Sequence, residues 1–85
     1  MDTKEKRMIE NWEVKQAFRI GRTEIVLGED ASNLETPFVV SDCNTYSELG
    51  FCEYSNSIGT NDYLEAVEEY IKRITAEAEH VRQER

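Results

Sequence analysis

The C-terminal third of the chain has apolar residues at spacings of three and four, and this periodicity constrains the fold more than any other feature. Such spacing places side chains on one stripe of an α-helix. Asp62 and Glu65 have the spacing of a capping box at its start. We therefore predict a helix from about residue 62 into the low eighties, with its last two turns projecting or fraying. The predicted buried stripe consists of Leu64, Val67, Ile71, Ile74, Ala78 and Val81.

The middle of the chain has the alternation that is typical of β-strands. One parity is shared by Trp12, Val14, Phe18 and Ile20, interrupted only by Gln16, and the parity then switches at Ile25. A two-residue turn at Gly21–Arg22 explains the switch, because it sets Ile20 opposite Thr23. A bulge in one long strand explains it equally well. Further strand candidates are residues 38–43 and 50–54, and the aromatic residues expected to face inward are Trp12, Phe18, Phe38 and Phe51.

These elements predict an α+β domain of two layers, in which a three- or four-stranded antiparallel sheet is followed by one C-terminal amphipathic helix packed on one face. The other face of the sheet is then expected to be wet or available to a partner. A chain of 85 residues has room for one domain. We assign that domain to residues 12–85 and expect residues 1–11 to form a flexible or helical N-terminal segment.

Charge is distributed unevenly along the chain. The net charge is −8, and residues 23–60 hold seven acidic residues without one Lys or Arg. Phosphates require a basic surface, so direct binding to nucleic acid or to an anionic membrane is disfavoured. No apolar run approaches the roughly 18 residues of a membrane span, and no apolar secretory segment follows residues 1–7. We therefore expect a cytoplasmic protein.

The sequence offers few residues for catalysis or metal binding. Its Cys and His residues are Cys43, Cys52 and His80, whereas a zinc site normally needs about four such ligands. No phosphate-binding glycine loop and no serine elbow occurs. We expect no metal and no cofactor. Both thiols are expected to be buried and reduced, with a disulfide as the alternative if they lie on paired strands.

Two stretches of the chain, residues 37–44 (PFVVSDCN) and 61–66 (NDYLEA), are similar to small uncharacterised proteins of mobile elements and prophages in gut clostridia. The resemblance covers residues 18–80. It implies an accessory protein encoded beside phage or conjugative-element genes. Some small acidic proteins of that setting, the anti-CRISPR proteins among them, inhibit host defence nucleases. The resemblance implies this class of function and gives no residue a role.

The leading functional hypothesis is a module that occupies a basic, nucleic-acid-binding surface of a protein partner. The electrostatic potentials of acidic residues add when no basic residue lies between them, and the combined potential attracts a basic partner. The same acidic residues also favour solubility. One alternative is an interaction domain that dimerises through the open sheet face or the helix. Another is a small enzyme that uses Cys43 or Cys52 with His80. The expected contact residues are Glu24, Glu29, Asp30, Glu35, Asp42, Tyr46, Glu48, Glu53 and Tyr54.

Overall fold

The computed structural model describes residues 7–46 and 51–83 and, within them, the backbone alone at residues 45, 46, 51 and 52. In these residues the chain forms an antiparallel sheet whose five strands are neighbours in chain order, followed by one helix. The sheet is curled like half of a barrel, and the helix packs against it. The elements are β1 (Met8–Ile9), β2 (Trp12–Ile20), β3 (Thr23–Glu29), β4 (Phe38–Tyr46), β5 (Phe51–Thr60) and α1 (Tyr63–Gln83).

The α+β class, the antiparallel sheet and the C-terminal helix are therefore confirmed, while the prediction of three or four strands is wrong. The additional strand is β1, which lies in the segment expected to be flexible or helical. Ile9 pairs with Trp12 across a tight turn in which Glu10 has a φ of 52°. Burial of the Ile9 side chain supplies the free energy that holds so short a strand on the sheet.

The turn at Gly21–Arg22 is confirmed, since Ile20 pairs with Thr23 and Phe18 with Ile25. Gly21 has a φ of 62°, the conformation that a type II′ hairpin turn requires at its first central position. The single parity predicted for β2 is wrong, because the register shifts between Val14 and Gln16. This bulge turns the side chains before and after it to opposite faces of the sheet.

Each face of the sheet carries a hydrophobic cluster, so the expectation of a wet or open second face is wrong. The reason is that β3 and β4 have consecutive apolar residues, which point alternately to the two sides. The cluster under α1 contains Ile25, Leu27, Val40 and Ala66. The cluster on the opposite side contains Ile9, Val26 and Val39, with Trp12, Val14 and Tyr54 packed against it.

Curling of the sheet is visible in the contact between its two edges. In a flat sheet β1 and β5 would lie about 19 Å apart, four strand spacings of about 4.8 Å. Arg7 directly precedes β1, and its carbonyl accepts a hydrogen bond from the Val14 amide. Its side-chain Nε nevertheless donates to the Tyr54 hydroxyl of β5 at 2.8 Å. Arg7 and Ile9 therefore pack on the face that α1 leaves uncovered.

The helix is rotated relative to the predicted stripe. Ala66 is its fully buried residue, whereas Leu64 and Ile71 are 68% and 55% exposed. Small Ala66 allows close approach to the sheet, and the Arg73 side chain reaches under the helix to Asp42 of β4. Three further helix residues pack against the same hydrophobic cluster as Ala66 and are partly buried: Val67, Tyr70 and Ile74.

The last turns of α1 pack rather than fray. The helix continues to Gln83, and a Cβ built on Gly21 would lie 3.9 Å from the Val81 side chain. Phe18, expected in the core, is 52% exposed at the margin of the helix, and the Phe51 side chain lies outside the described residues. Within residues 7–46 and 51–83 the structure has no helix of the length and apolarity that crossing a membrane requires.

Candidate protein-binding surface

The topology gathers acidic residues at one end of the sheet. The β1–β2 turn, the β3–β4 loop (residues 30–37) and the β5–α1 junction all lie at this end, because every second connection in an antiparallel sheet does so. Lys15, in the bulge of β2, is the cation that the described residues place here. We call this region the acidic end, and its acids are Glu10, Glu13, Glu29, Asp30, Glu35, Asp62 and Glu65.

Short polar side chains fix the β3–β4 loop. Asp30 Oδ1 accepts hydrogen bonds from the Ser32 amide at 3.0 Å and the Ser32 hydroxyl at 2.6 Å. Asn33 Oδ1 accepts from the amides of Glu35 and Thr36. The Trp12 indole then donates to the Thr36 carbonyl at 2.9 Å, which ties the loop to β2. The carboxylates of this loop are therefore carried on an ordered backbone.

The start of α1 is capped at the same end. Asp62 Oδ1 accepts from the amides of Leu64 and Glu65, so Asp62 is the N-cap that its spacing predicts. In a capping box the Glu65 carboxylate would accept a hydrogen bond from the Asp62 amide. Here the Asp62 amide donates to Thr60 Oγ1 instead, and the Thr60 hydroxyl donates to Glu65. Two further carboxylates are thereby fixed beside the β3–β4 loop.

Exposed apolar side chains lie among these acids. Leu34 in the β3–β4 loop is 87% exposed, and Tyr63 and Leu64 at the start of α1 are 54% and 68% exposed. The Tyr63 ring lies 5.3 Å from that of Phe38, at 60° to it. This end of the molecule therefore presents exposed leucine and tyrosine side chains together with carboxylates.

Three of the nine predicted contact residues, Glu29, Asp30 and Glu35, are at the acidic end, whereas Glu24, Asp42, Glu53 and Tyr54 lie elsewhere. Glu24 and Tyr54 lie on the sheet face opposite the helix, where both bind Arg7. The Arg7 Nη2–Glu24 Oε1 distance is 2.6 Å, and the guanidinium lies 5.6 Å from the Tyr54 ring centre. This hydrogen bond from Arg7 holds the pKa of the Glu24 carboxyl below its usual value, against the opposing effect of burial.

Asp42 is on the helix side and is also paired. Arg73 Nη1 lies 3.1 Å from Asp42 Oδ1, while Arg73 Nε binds Glu69 at 2.8 Å. Asn56 donates to the second Asp42 oxygen. Glu53 is exposed on β5, whereas Glu48 and the Tyr46 side chain lie outside the described residues. The base-free stretch thus does not form one acidic surface, because arginines from the N-terminal segment and from α1 bind two of its acids.

Reasoning along the sequence missed the acids and apolar residues that β1–β2 and α1 bring to the acidic end. These residues include Glu10, Glu13, Asp62 and Tyr63, and Leu34 of the β3–β4 loop was missed as well. The information needed to find them was the strand order, because alternate connections of a meander share an end. A charge count by sequence segments treats residues 1–22 and 61–85 separately from the base-free residues 23–60. The fold nevertheless brings the β1–β2 turn and the start of α1 to the same end of the sheet as the β3–β4 loop.

The cysteine expectation is corrected by the structure. Cys43 is fully buried and disulfide-bonded instead of being a reduced thiol. Cys52 is the other cysteine of the sequence, and its backbone pairs with Thr45, two residues from Cys43 on the neighbouring strand. The two cysteines therefore lie on paired strands, which is the arrangement for which a disulfide was the expected alternative.

The geometry does not bring Cys43 and His80 together, and the Cys52 side chain lies outside the described residues. Cys43 pairs with Tyr54 on the sheet face opposite α1, whereas His80 is exposed on α1 beside the β2–β3 turn. Among the residues that the structure describes, no group of three Cys, His, Asp or Glu side chains is arranged to hold a metal ion. Comparison of the chain with known protein families, curated proteins and solved structures gave no match.

Proposed function

We propose that this protein is a binding module whose acidic end occupies a basic surface of a protein partner, of the kind that otherwise binds nucleic acid. The observation that carries the proposal is the gathering of seven acids around exposed Leu34, Tyr63 and Leu64. Clustered carboxylates steer a basic partner, and apolar side chains among them supply contact area that excludes water. A basic nucleic-acid groove already accepts closely spaced negative charge.

The partner class that fits the resemblance to proteins of mobile elements is a defence nuclease of a clostridial host. Binding in the nuclease groove would displace nucleic acid by direct competition. The fixed backbone of the β3–β4 loop supports this mode, because carboxylates on an ordered loop lose less conformational entropy on binding.

The test uses a triple variant that neutralises the acidic end, with Glu29→Gln, Asp30→Asn and Glu35→Gln. Asn at position 30 keeps the side-chain oxygen that accepts from Ser32, so the loop is expected to hold its shape. Binding to a panel of purified clostridial RNA-guided nucleases is measured by surface plasmon resonance at low and high salt. Displacement of labelled DNA from each nuclease is measured in parallel.

The matched control carries the same change of net charge away from the acidic end, on the far end of β5 and the second half of α1, with Glu53→Gln, Glu77→Gln and Glu79→Gln. We expect the acidic-end variant to associate about tenfold more slowly at low salt, and the control to stay within about twofold of the wild type. Equal effects of the two variants would contradict the proposed site. Failure of every nuclease in the panel to bind would contradict the partner class.

A homodimer is the second candidate, and the exposure of Leu64 and Ile71 on α1 favours it. Dimerisation through the second sheet face lacks this support, because Ile9 and Trp12 pack against the apolar residues of that face. Sedimentation equilibrium of the wild type and of Ile71→Glu tests the helix route. A dimer mass that the substitution reduces to that of the monomer supports it, whereas a monomer mass for the wild type contradicts it.

A further inference from the structure

A cavity of about 230 Å³ opens at the acidic end, between β2, β3, β4 and the start of α1. The cavity lies beside the first residues of α1, at a margin of β2 that the helix does not cover. Leu27, Phe38 and Tyr63 give it apolar and aromatic walls, while Lys15, Gln16 and Glu29 give it polar ones. The cavity therefore combines ring surfaces with a carboxylate, which is a chemical environment for a flat organic cation.

The carboxylate in this cavity has a like charge directly across from it. Glu29 of β3 pairs with Glu13 of β2, on the side of the sheet that faces α1. Like charges in directly opposed positions destabilise a sheet. The Lys15 ammonium lies 3.2 Å from Glu13 Oε1, and no described cation forms an ion pair with Glu29. The free protein thus retains an electrostatic repulsion that a cation bound beside Glu29 would relieve.

We propose that this cavity binds an arginine side chain of the partner, an inference that rests on the proposed function and specifies its contact. A guanidinium is planar, so it can stack on the Tyr63 or Phe38 ring while its N–H groups bind the Glu29 carboxylate in a fork. Its aliphatic stem would pack on Leu27. A lysine ammonium lacks the planar fork and holds its water more tightly, so it fits this environment less well.

Lys15 opposes the binding of a cation from its place on the cavity wall. Its side chain is about half exposed, and its ion pair with Glu13 lies near the surface, so solvent screens much of its repulsion. Removal of its charge should therefore strengthen arginine binding by a few-fold. An anion-binding cavity would respond in the opposite direction, which makes Lys15→Gln a discriminating substitution.

The experiment titrates the ¹⁵N-labelled protein with short blocked peptides that differ at one residue. The first peptide has arginine at its centre, the second has citrulline, which keeps the shape without the charge, and the third has lysine. We expect the arginine peptide to shift the amide signals of Leu27, Gly28 and Tyr63 and to bind about tenfold more tightly than the citrulline peptide. Equal affinities for these two peptides, or no binding of the arginine peptide, would overturn the proposal.

Two variants with the same net charge locate the contact. Glu29→Gln removes the carboxylate that lines the cavity, whereas Glu35→Gln removes one that is exposed at the same end and does not line it. We expect Glu29→Gln to weaken the arginine peptide about tenfold and Glu35→Gln less than twofold. Glu29→Gln should also unfold at an equal or higher temperature than the wild type, because it relieves the repulsion with Glu13. Weakening that comes with a lower unfolding temperature would point to a structural role and contradict the proposal.

The inference and the proposed function fail in different ways. If both single variants weaken the peptide equally, the acidic end acts as a general electrostatic surface and the arginine cavity is excluded. If the peptide results hold while the triple variant binds the nucleases like the wild type, the cavity exists and the proposed partner surface is wrong.

Discussion

Arg7 is the residue through which the two edges of the sheet meet, since it binds Tyr54 of β5 and Glu24 of β3. Arg7→Met keeps an unbranched apolar stem and removes the hydrogen bonds, which leaves Glu24 half-buried without this partner. The Arg7 side chain is 38% exposed, so solvent screening reduces the loss, and we expect the free energy of unfolding to fall by about 1–2 kcal/mol at neutral pH. Urea unfolding monitored by circular dichroism measures it.

The pH dependence of the Arg7→Met effect identifies the ion pair. Arg7 lowers the pKa of Glu24, so this pair stabilises the fold above the usual carboxyl pKa of about 4.3 and loses its effect as the pH falls through the lower native value. The difference between wild type and variant should therefore shrink below about pH 4. Arg82→Met, which removes an exposed ion pair with Glu79, should cost less than about 0.5 kcal/mol. A difference that is independent of pH would contradict the role assigned to Glu24.

Gly28 is the residue that permits close packing on the face opposite the helix. A Cβ at this position would lie 3.1 Å from both Trp12 Cβ and Val39 Cγ1, and 3.3 Å from the Glu13 carbonyl oxygen. We expect Gly28→Ala to lower the free energy of unfolding by about 1–3 kcal/mol, because well-packed neighbours must move. Urea unfolding measures this loss, and a neutral result would show that β2 can shift outward at no cost.

At the scale of single elements, the orientation of α1 is tested by two isoleucines three residues apart. Ile74 packs against the core, whereas Ile71 is 55% exposed. Ile74→Ala should cost about 2 kcal/mol, and Ile71→Ala less than about 0.5 kcal/mol, since alanine also favours the helix. Thermal or urea unfolding of the two variants gives the comparison. Equal losses of unfolding free energy would contradict the observed orientation and support the one that the apolar periodicity alone predicts, in which both isoleucines are buried.

The elements themselves could be largely predicted from the sequence, while their orientation could not. The periodicity of α1 and the turn at Gly21–Arg22 are local features, and both are found. The bulge after Val14 reverses a face without any change in composition. The rotation of α1 brings Arg73 into an ion pair with Asp42, 31 positions away in the sequence. Such tertiary contacts have no trace in the local pattern.

Only part of the acidic end could be predicted from the sequence, because local features are visible there and tertiary contacts are not. The three acids of the β3–β4 region are close in sequence, so a charge count finds Glu29, Asp30 and Glu35 directly. Glu24 and Asp42 belong to the same count, but the fold gives them arginine partners. A charge count therefore identifies where the acids are in the sequence, and only the fold shows which of them are paired with arginines.

At the scale of the whole molecule, the two hydrophobic clusters share strands and should unfold together. Neighbouring residues of β3 and β4 point to opposite clusters, so opening one face disturbs the backbone that supports the other. Trp12 is the single tryptophan and belongs to the cluster opposite the helix, whereas the far-ultraviolet circular dichroism reports α1. Urea unfolding followed by these two probes should give coincident transitions in the wild type.

Substitutions on opposite faces sharpen this prediction of coupled unfolding. Ile9→Ala removes apolar contact on the side of Trp12, and Ile74→Ala removes it under the helix. Each should lower the fluorescence and circular dichroism midpoints by equal amounts, because a domain in which β3 and β4 serve both faces has one cooperative unit. If Ile9→Ala lowered only the fluorescence midpoint, the N-terminal segment would open independently of the helix side. The closure of the sheet by Arg7 and Ile9 would then be a local addition to a fold that α1 stabilises by itself.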